Sequence, residues 1–167
     1  MTRHTTADTR AACERVPPLI TLRRTNPQDA PIVARLVGAL LAELRGTPAK
    51  PEEHAAIAPG LLALEDRIFG FLASDGTEPV GVMMVSESHA IYAGGAFGVI
   101  TELYVSPSHR SSGVAQRLIN AGATLGRERG WRQLEVGAPR QPAWARSLQF
   151  YLRNGFSEVG PRLKLTL

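Results

Sequence analysis

The sequence predicts a single α+β domain built on a mixed sheet, and three observations carry that prediction. Apolar runs of strand length recur along the chain, and adjacent ones are joined only by turn-forming residues. Such hairpin-type links argue against an all-parallel sheet. Longer segments with apolar residues at helical spacing interleave with them, giving the order strand, helix, helix, strand, strand, strand, helix, strand, helix, strand. The length, 167 residues, suits one domain with a proper core.

Taken in order, residues 1–16 read as a polar flexible tail, and 17–167 as the domain. Residues 19–23 (LITLR) form a first strand. Asn26-Pro27 offers an N-cap followed by the proline favoured at a helix start, and Ile32, Leu36 and Leu40 continue at helical spacing over 28–44. A Gly-Thr-Pro break follows, then a second helix over 52–64, interrupted or ended near Pro59-Gly60. Residues 67–74 and 80–87 are strands flanking a turn of Asp75, Gly76, Thr77, Glu78 and Pro79. A glycine-rich loop, 92–97, precedes the strand 98–105. The helix 113–129 buries Val114, Leu118 and Leu125, with Gly130 at its C-terminal cap. Leu134 and Val136 alternate on a fifth strand, a helix spans about 142–153, and 156–167 supplies the last one or two strands.

Composition narrows the class. Hydrophobic content of 44% and charged content of 20% are ordinary for a globular protein. The net charge of +4 comes largely from arginines spread along the chain, which favours a solvated surface, or a basic rim for a polyanionic small molecule, over nucleic-acid binding. The single cysteine, Cys13, excludes an intramolecular disulfide, and no histidine–carboxylate spacing suggests a metal. No apolar run reaches membrane-helix length and the charged N-terminus is unlike a signal peptide, so the expected location is the cytoplasm, with no membrane partner.

The chemistry concentrates in 100–130, where a strand runs through a Pro-containing loop into Arg110-Ser111-Ser112-Gly113-Val114-Ala115 and an amphipathic helix. Small residues at a helix N-terminus leave backbone N–H groups exposed where the helix dipole is positive, a combination that holds phosphate. Glu102 sits among Val99, Ile100, Leu103, Tyr104 and Val105, where a carboxylate needs either an ion-pair partner or a function.

The pattern Arg110-x-x-Gly113-x-Ala115 after Leu103-Tyr104-Val105-Ser106-Pro107 resembles the acyl-CoA-binding motif of the GNAT superfamily of N-acetyltransferases. The later run Phe150-Tyr151-Leu152-Arg153-Asn154-Gly155-Phe156 is similar to that family's tyrosine and Gly-Phe element. The resemblance covers about 19–167. It implies a three-layer α/β/α fold with about four helices and a mixed, largely antiparallel sheet of six to seven strands, splayed between the fourth and fifth. It implies acetyl-CoA as cofactor, with direct attack by a primary amine in a ternary complex. Arg110 and the amides of Ser111, Ser112, Gly113, Val114 and Ala115 would hold the pyrophosphate. Leu103 would polarise the thioester carbonyl through its amide, and Val105 would bond the pantetheine. Glu102 becomes the candidate base and Tyr151 the candidate acid, against plain ion-pair and packing roles for the two. Trp144 stands where many members have an Asn, and Ser147 where a small Ala is common. Glu52, Glu53, His54, His89, Tyr92 and Phe97 are the candidates for lining the acceptor site. The expected acceptor is a small-molecule amine, with a protein amine or a catalytically silent acyl-CoA-binding module as alternatives. A homodimer, common among similar proteins, stays open.

Overall fold

The computed structural model describes residues 19–138, 141–160 and 162–166. The tail at 1–16, with Cys13, lies outside them. Five strands follow one another across one sheet: β1 (Ile20–Arg24), β2 (Ile68–Asp75), β3 (Glu78–Ala90), β4 (Gly95–Val105) and β5 (Leu134–Val136). The first four are antiparallel neighbours, and β5 joins β4 in parallel. The α+β, mixed-sheet expectation is met, with five strands among the described residues where six or seven were expected. The residues expected to form the last strands, among those described after 155, adopt no strand, and Val159, Leu163 and Leu165 are exposed.

The helices are α1 (Ala30–Arg45), α2 (Pro51–Ala55), α3 (Ala58–Leu62), α4 (Val114–Glu128) and α5 (Ala145–Arg153). Asn26 caps as expected, its side chain accepting from the Gln28 amide, while Asp29 accepts from the Asn26 amide at 2.9 Å. Asp29 is buried and grips both terminal nitrogens of Arg23 at 2.7 and 2.6 Å, fastening β1 to the helix start. The expected helix over 52–64 is two short helices, because Pro51 and Pro59 each open a first turn where a missing N–H costs nothing.

Strand β2 and residues 80–85 of β3 are apolar nearly throughout because both faces are covered. On one face Phe69, Phe71, Met83 and Val85 meet Val114, Leu118 and Ile119 of α4 and Tyr151 of α5. On the other Leu72, Val82, Met84 and Tyr104 meet Val33, Ala34 and Leu36 of α1. Each fully buried Leu, Ile or Phe contributes about 1.5–3 kcal/mol. The alternation along the strands thus assigns every residue of β4 to one of two environments. Among the described residues no helix is long and apolar enough to cross a membrane.

Where α4 ends, Glu87 of β3 accepts from Arg129 Nε and Trp131 Nε1, both at 2.6 Å, and the Arg129 guanidinium lies 4.6 Å from the Phe69 ring centre. The Arg129 bond, then that from Trp131, holds the Glu87 carboxyl below its ordinary 4.5 against the opposing effect of burial. A depressed carboxyl stabilises the fold fully above its unfolded value and less as the pH falls through the folded one. Glu87→Gln is therefore expected to cost about 1–2 kcal/mol at neutral pH, with the difference from the parent vanishing in acid below 4.5, as read from melting curves across pH.

Candidate active site

One irregularity in β4 sets the site. Its register against β3 pairs Met84 with Glu102 but Val85 with Ile100, so Thr101 is an extra residue, a β-bulge. The bulge reverses which backbone edge each residue presents. Before it, the Gly98 amide bonds Gln133 across to β5 at 3.1 Å; after it, the Ser106 amide bonds Val80 of β3 at 2.8 Å. Leu103 and Val105 consequently turn their N–H groups toward β5. That strand pairs only as far as Ile100 with Val136, so beyond it the two strands part and the edge of β4 is open. The expected splay is present, and the Leu103 and Val105 amides have no partner among the described residues.

The turn before α4 is bent by two left-handed residues, Ser111 (φ 64°) and Gly113 (φ 84°). Gly113 is the N-cap, without a side-chain cap bond, and a Cβ there would meet nothing within 4 Å, so the turn faces open space. The amides of Val114, Ala115 and Gln116 have no acceptor among the described residues, whereas Arg117 already bonds the Gly113 carbonyl. Ser112 donates to the His109 carbonyl at 2.6 Å, bracing the loop, not capping the helix. His109 Nε2 lies 3.2 Å from Asp75 Oδ2, which ties the same loop to the β2–β3 turn. Arg110, expected to meet phosphate, instead donates from Nε to the Val105 carbonyl at 2.9 Å and from Nη2 to both oxygens of Glu43 at 2.8 Å.

A cleft of about 1190 Å³ joins these parts. Leu103, Val105, Arg110, Ser111, Gly113, Val114, Ala115 and Tyr151 all line it; Ser112 and Glu102 do not. Arg146 and Arg153 of α5 and Arg162 also line it, so its walls are basic. Trp144 and Ser147 line it as well, so the missing Asn is replaced by a ring at the cleft wall.

Glu102 lies on the α1 side of the sheet. Burial pushes its carboxyl above the ordinary range, opposed by a very short hydrogen bond from the Thr101 hydroxyl and by the nearby charge of His54. Thr101 does line the cleft, and so connects it to Glu102. Tyr151 is buried, edge-on to Phe150 and Phe156 with ring centres 5.5 Å away in each case. Burial pushes its phenol up to about 12, so it stays protonated at neutral pH.

The acceptor-side candidates separate. Phe97 is buried against Tyr92, and Tyr92 donates to Glu135 of β5 at 3.1 Å. Glu53 pairs with Lys50 at 3.0 Å, and Glu52 and His89 are exposed. Only His54 is electrostatically coupled to Glu102. Among the described residues no group of three His, Cys, Asp or Glu is arranged to hold a metal.

An open strand edge facing a basic cleft, closed by a phosphate-ready helix start, is the architecture the motifs implied. Residues 33–156 match the acetyltransferase (GNAT) family. The chain belongs to that family. No curated protein matches the sequence significantly. Among solved structures, an aminoglycoside acetyltransferase from an uncultured soil metagenomic sample is 20% identical, with a TM-score of 0.75 over 89% of this chain and 98% of that one. AAC(6')-Iy, in complex with the bisubstrate analogue CoA-S-monomethyl-acetylneamine, is 21% identical, with a TM-score of 0.73 over 89% and 97%. A ribosomal-protein-alanine N-acetyltransferase from Brucella melitensis biovar Abortus 2308 is 24% identical, with a TM-score of 0.69 over 89% and 99%. At these identities the likeness establishes the fold.

GNAT enzymes draw on acetyl-CoA, and the cleft of this acetyltransferase fits it. Unpaired amides at 114–116, open space at Gly113 and arginines along the walls meet the needs of a polyanion on a long arm. Three site residues had no mark in the sequence. Thr101 interrupts an apolar run, but a bulge has no fixed signature; Glu43 and Arg110 lie 67 residues apart; Arg162 lies in a segment expected to be strand. Gly113→Glu, which fills the cradle with a negative side chain, is expected to weaken coenzyme A binding on the order of 100-fold or more in calorimetry. Gly113→Asn, a residue that tolerates the left-handed conformation, should fold normally and serve as the control for backbone strain.

Proposed function

We propose that this GNAT enzyme acetylates a primary amine of a small-molecule acceptor by direct attack, with Glu102 as base and Tyr151 as acid. The observation that carries the proposal is the division of proton affinity across the two sides of β4: a carboxyl raised by burial on the α1 side, a phenol held protonated at the cleft. An amine arrives mostly as ammonium and has to lose a proton before it attacks. Glu102 attracts that cation and takes the proton, directly or through the Thr101 hydroxyl that already bonds it. The Leu103 amide, unpaired on the open edge, donates to the carbonyl oxygen where negative charge develops. Tyr151 lines the cleft and keeps its phenol protonated, and so serves as proton donor to the leaving thiolate. Bound acetyl-CoA supplies the activated acetyl group.

A small acceptor is supported by the shape of the α1 side. A recess of about 240 Å³ lies between α1 and α2, walled by Gly38, Leu41, Arg45, Lys50, Glu53 and His54. That volume suits a metabolite-sized molecule, and His54 couples it to Glu102. The aminoglycoside acetyltransferase of similar fold favours the same class, while the ribosomal-protein enzyme favours a polypeptide amine as the second reading.

Two measurements test the proposal. Thiol release from acetyl-CoA with amino sugars, polyamines, amino acids and Ala-starting peptides should show turnover confined to a small amine. Turnover only on peptides selects the second reading, and binding without turnover on any amine leaves a silent acyl-CoA module. With the acceptor in hand, Glu102→Gln should lower turnover roughly 10²–10⁴-fold while coenzyme A affinity holds. The Thr101 bond lowers the Glu102 carboxyl, so Thr101→Val raises it further and should move the acid limb of the kcat/KM profile to higher pH. A profile unchanged in Thr101→Val would show that Glu102 is not the titrating base.

A further inference from the structure

The guanidinium at the head of the cradle is already engaged by an anion. Besides its bonds to the Val105 carbonyl and Glu43, Arg110 lies with its guanidinium 5.6 Å from the Tyr104 ring centre. Glu43 stands on the last turns of α1 between Leu40 and Leu44, and all three line the cofactor cleft. Its side chain is 32% exposed, so the carboxylate looks into that cleft. The same carboxylate acts on Tyr104, whose phenol is pushed up by burial and then by the Glu43 charge. Carboxylate and phosphate make the same demand on a guanidinium, a paired set of N–H donors facing two oxygens.

We propose that Glu43 is an internal anion that occupies Arg110 in the free protein and is displaced from it by the diphosphate of acetyl-CoA. Residue 43 of α1 thereby sets cofactor affinity, although it belongs to neither the phosphate motif nor the strand edge. Until it is displaced, Glu43 places a negative charge at the mouth of a site built for anions, and its bond to Arg110 has to be given up when a phosphate takes the guanidinium. Release of Glu43 also frees the last turns of α1, where Leu41, Ala42 and Arg45 wall the recess beside His54. Cofactor binding then loosens the wall that the acceptor meets. The inference rests on the cradle at 111–116 being the diphosphate site.

Calorimetry with two probes tests it: coenzyme A, which carries the diphosphate, and pantetheine, which does not. Glu43→Gln keeps the shape and removes the charge. Coenzyme A is expected to bind Glu43→Gln roughly two- to five-fold more tightly at low ionic strength, the range open to a part-exposed charge pair. The gain should shrink in high salt, and pantetheine should bind both proteins alike. Unchanged or weaker coenzyme A binding by Glu43→Gln overturns the proposal. Weaker binding of both probes with a lower Tm also overturns it, making Glu43 a structural tie. If Gly113→Glu binds coenzyme A as the parent does, the cradle itself is misplaced and this inference falls with it; a cradle that responds while Glu43→Gln does not isolates the failure to Glu43.

Discussion

The single inserted residue in β4 is the constraint on which the site depends. A regular strand would keep Gly98, Ile100, Glu102 and Tyr104 on one edge, and Leu103 and Val105 would spend their amides on β3. With Thr101 inserted, the edge toward β5 passes from the even-numbered residues to Leu103 and Val105. The same insertion leaves Glu102 and Tyr104 on the α1 side, and Leu103 and Val105 packed toward α4. Leu103 and Val105 thus line the cofactor cleft, while the Glu102 carboxylate, on the other face, feels the charge of His54.

Charge is organised around the same break. The cleft gathers arginines from separate parts of the chain, Arg110, Arg146, Arg153 and Arg162, and only Arg110 is matched by a carboxylate from α1. The Arg162 side chain runs over Gly137, just past the end of β5, with its Nη1 3.0 Å from where a Cβ would stand. A side chain at 137 would push that arginine out of the cleft. At the opposite end of the fold, Arg129 is fully spoken for by Glu87 and by the Phe69 ring, and its role is to close the sheet onto α4. Among the described residues, arginines thus both bind the fold together, as Arg129 does, and face the cleft, as Arg146 does.

Elements whose signal is local were legible in the sequence. Asn26, Pro27 and Asp29 mark a helix start by hydrogen bonds within four residues, and the α4 helix expected over 113–129 is Val114–Glu128 because its apolar stripe and the glycines at both ends are all local. The Arg-x-x-Gly-x-Ala motif likewise carried its own geometry, since Gly113 at φ 84° is a conformation other residues rarely adopt. Properties that depend on a distant partner were not legible. Val159, Leu163 and Leu165 alternate as a strand would, yet alternation names a face and not a neighbour. The pairing of Arg110 with Glu43 leaves no mark in the motif, because the two residues lie 67 positions apart. Phe97, expected at the acceptor site, is buried because the β3–β4 hairpin folds Tyr92 across it.

Burial acts on the two titrating groups in the same direction but with different chemical consequences. Removing either a carboxyl or a phenol from water favours its neutral form. For Glu102, burial raises the carboxyl above its ordinary range, and the Thr101 hydroxyl and the charge of His54 oppose that rise. For Tyr151, which starts above neutrality, the shift to about 12 removes it as a base and leaves it only as a proton donor. One physical effect, applied to two residue types, therefore favours the neutral form of both groups. The aromatic edges of Phe150 and Phe156 do for Tyr151 what an ion pair would undo: they exclude water while offering no charge to stabilise the phenolate.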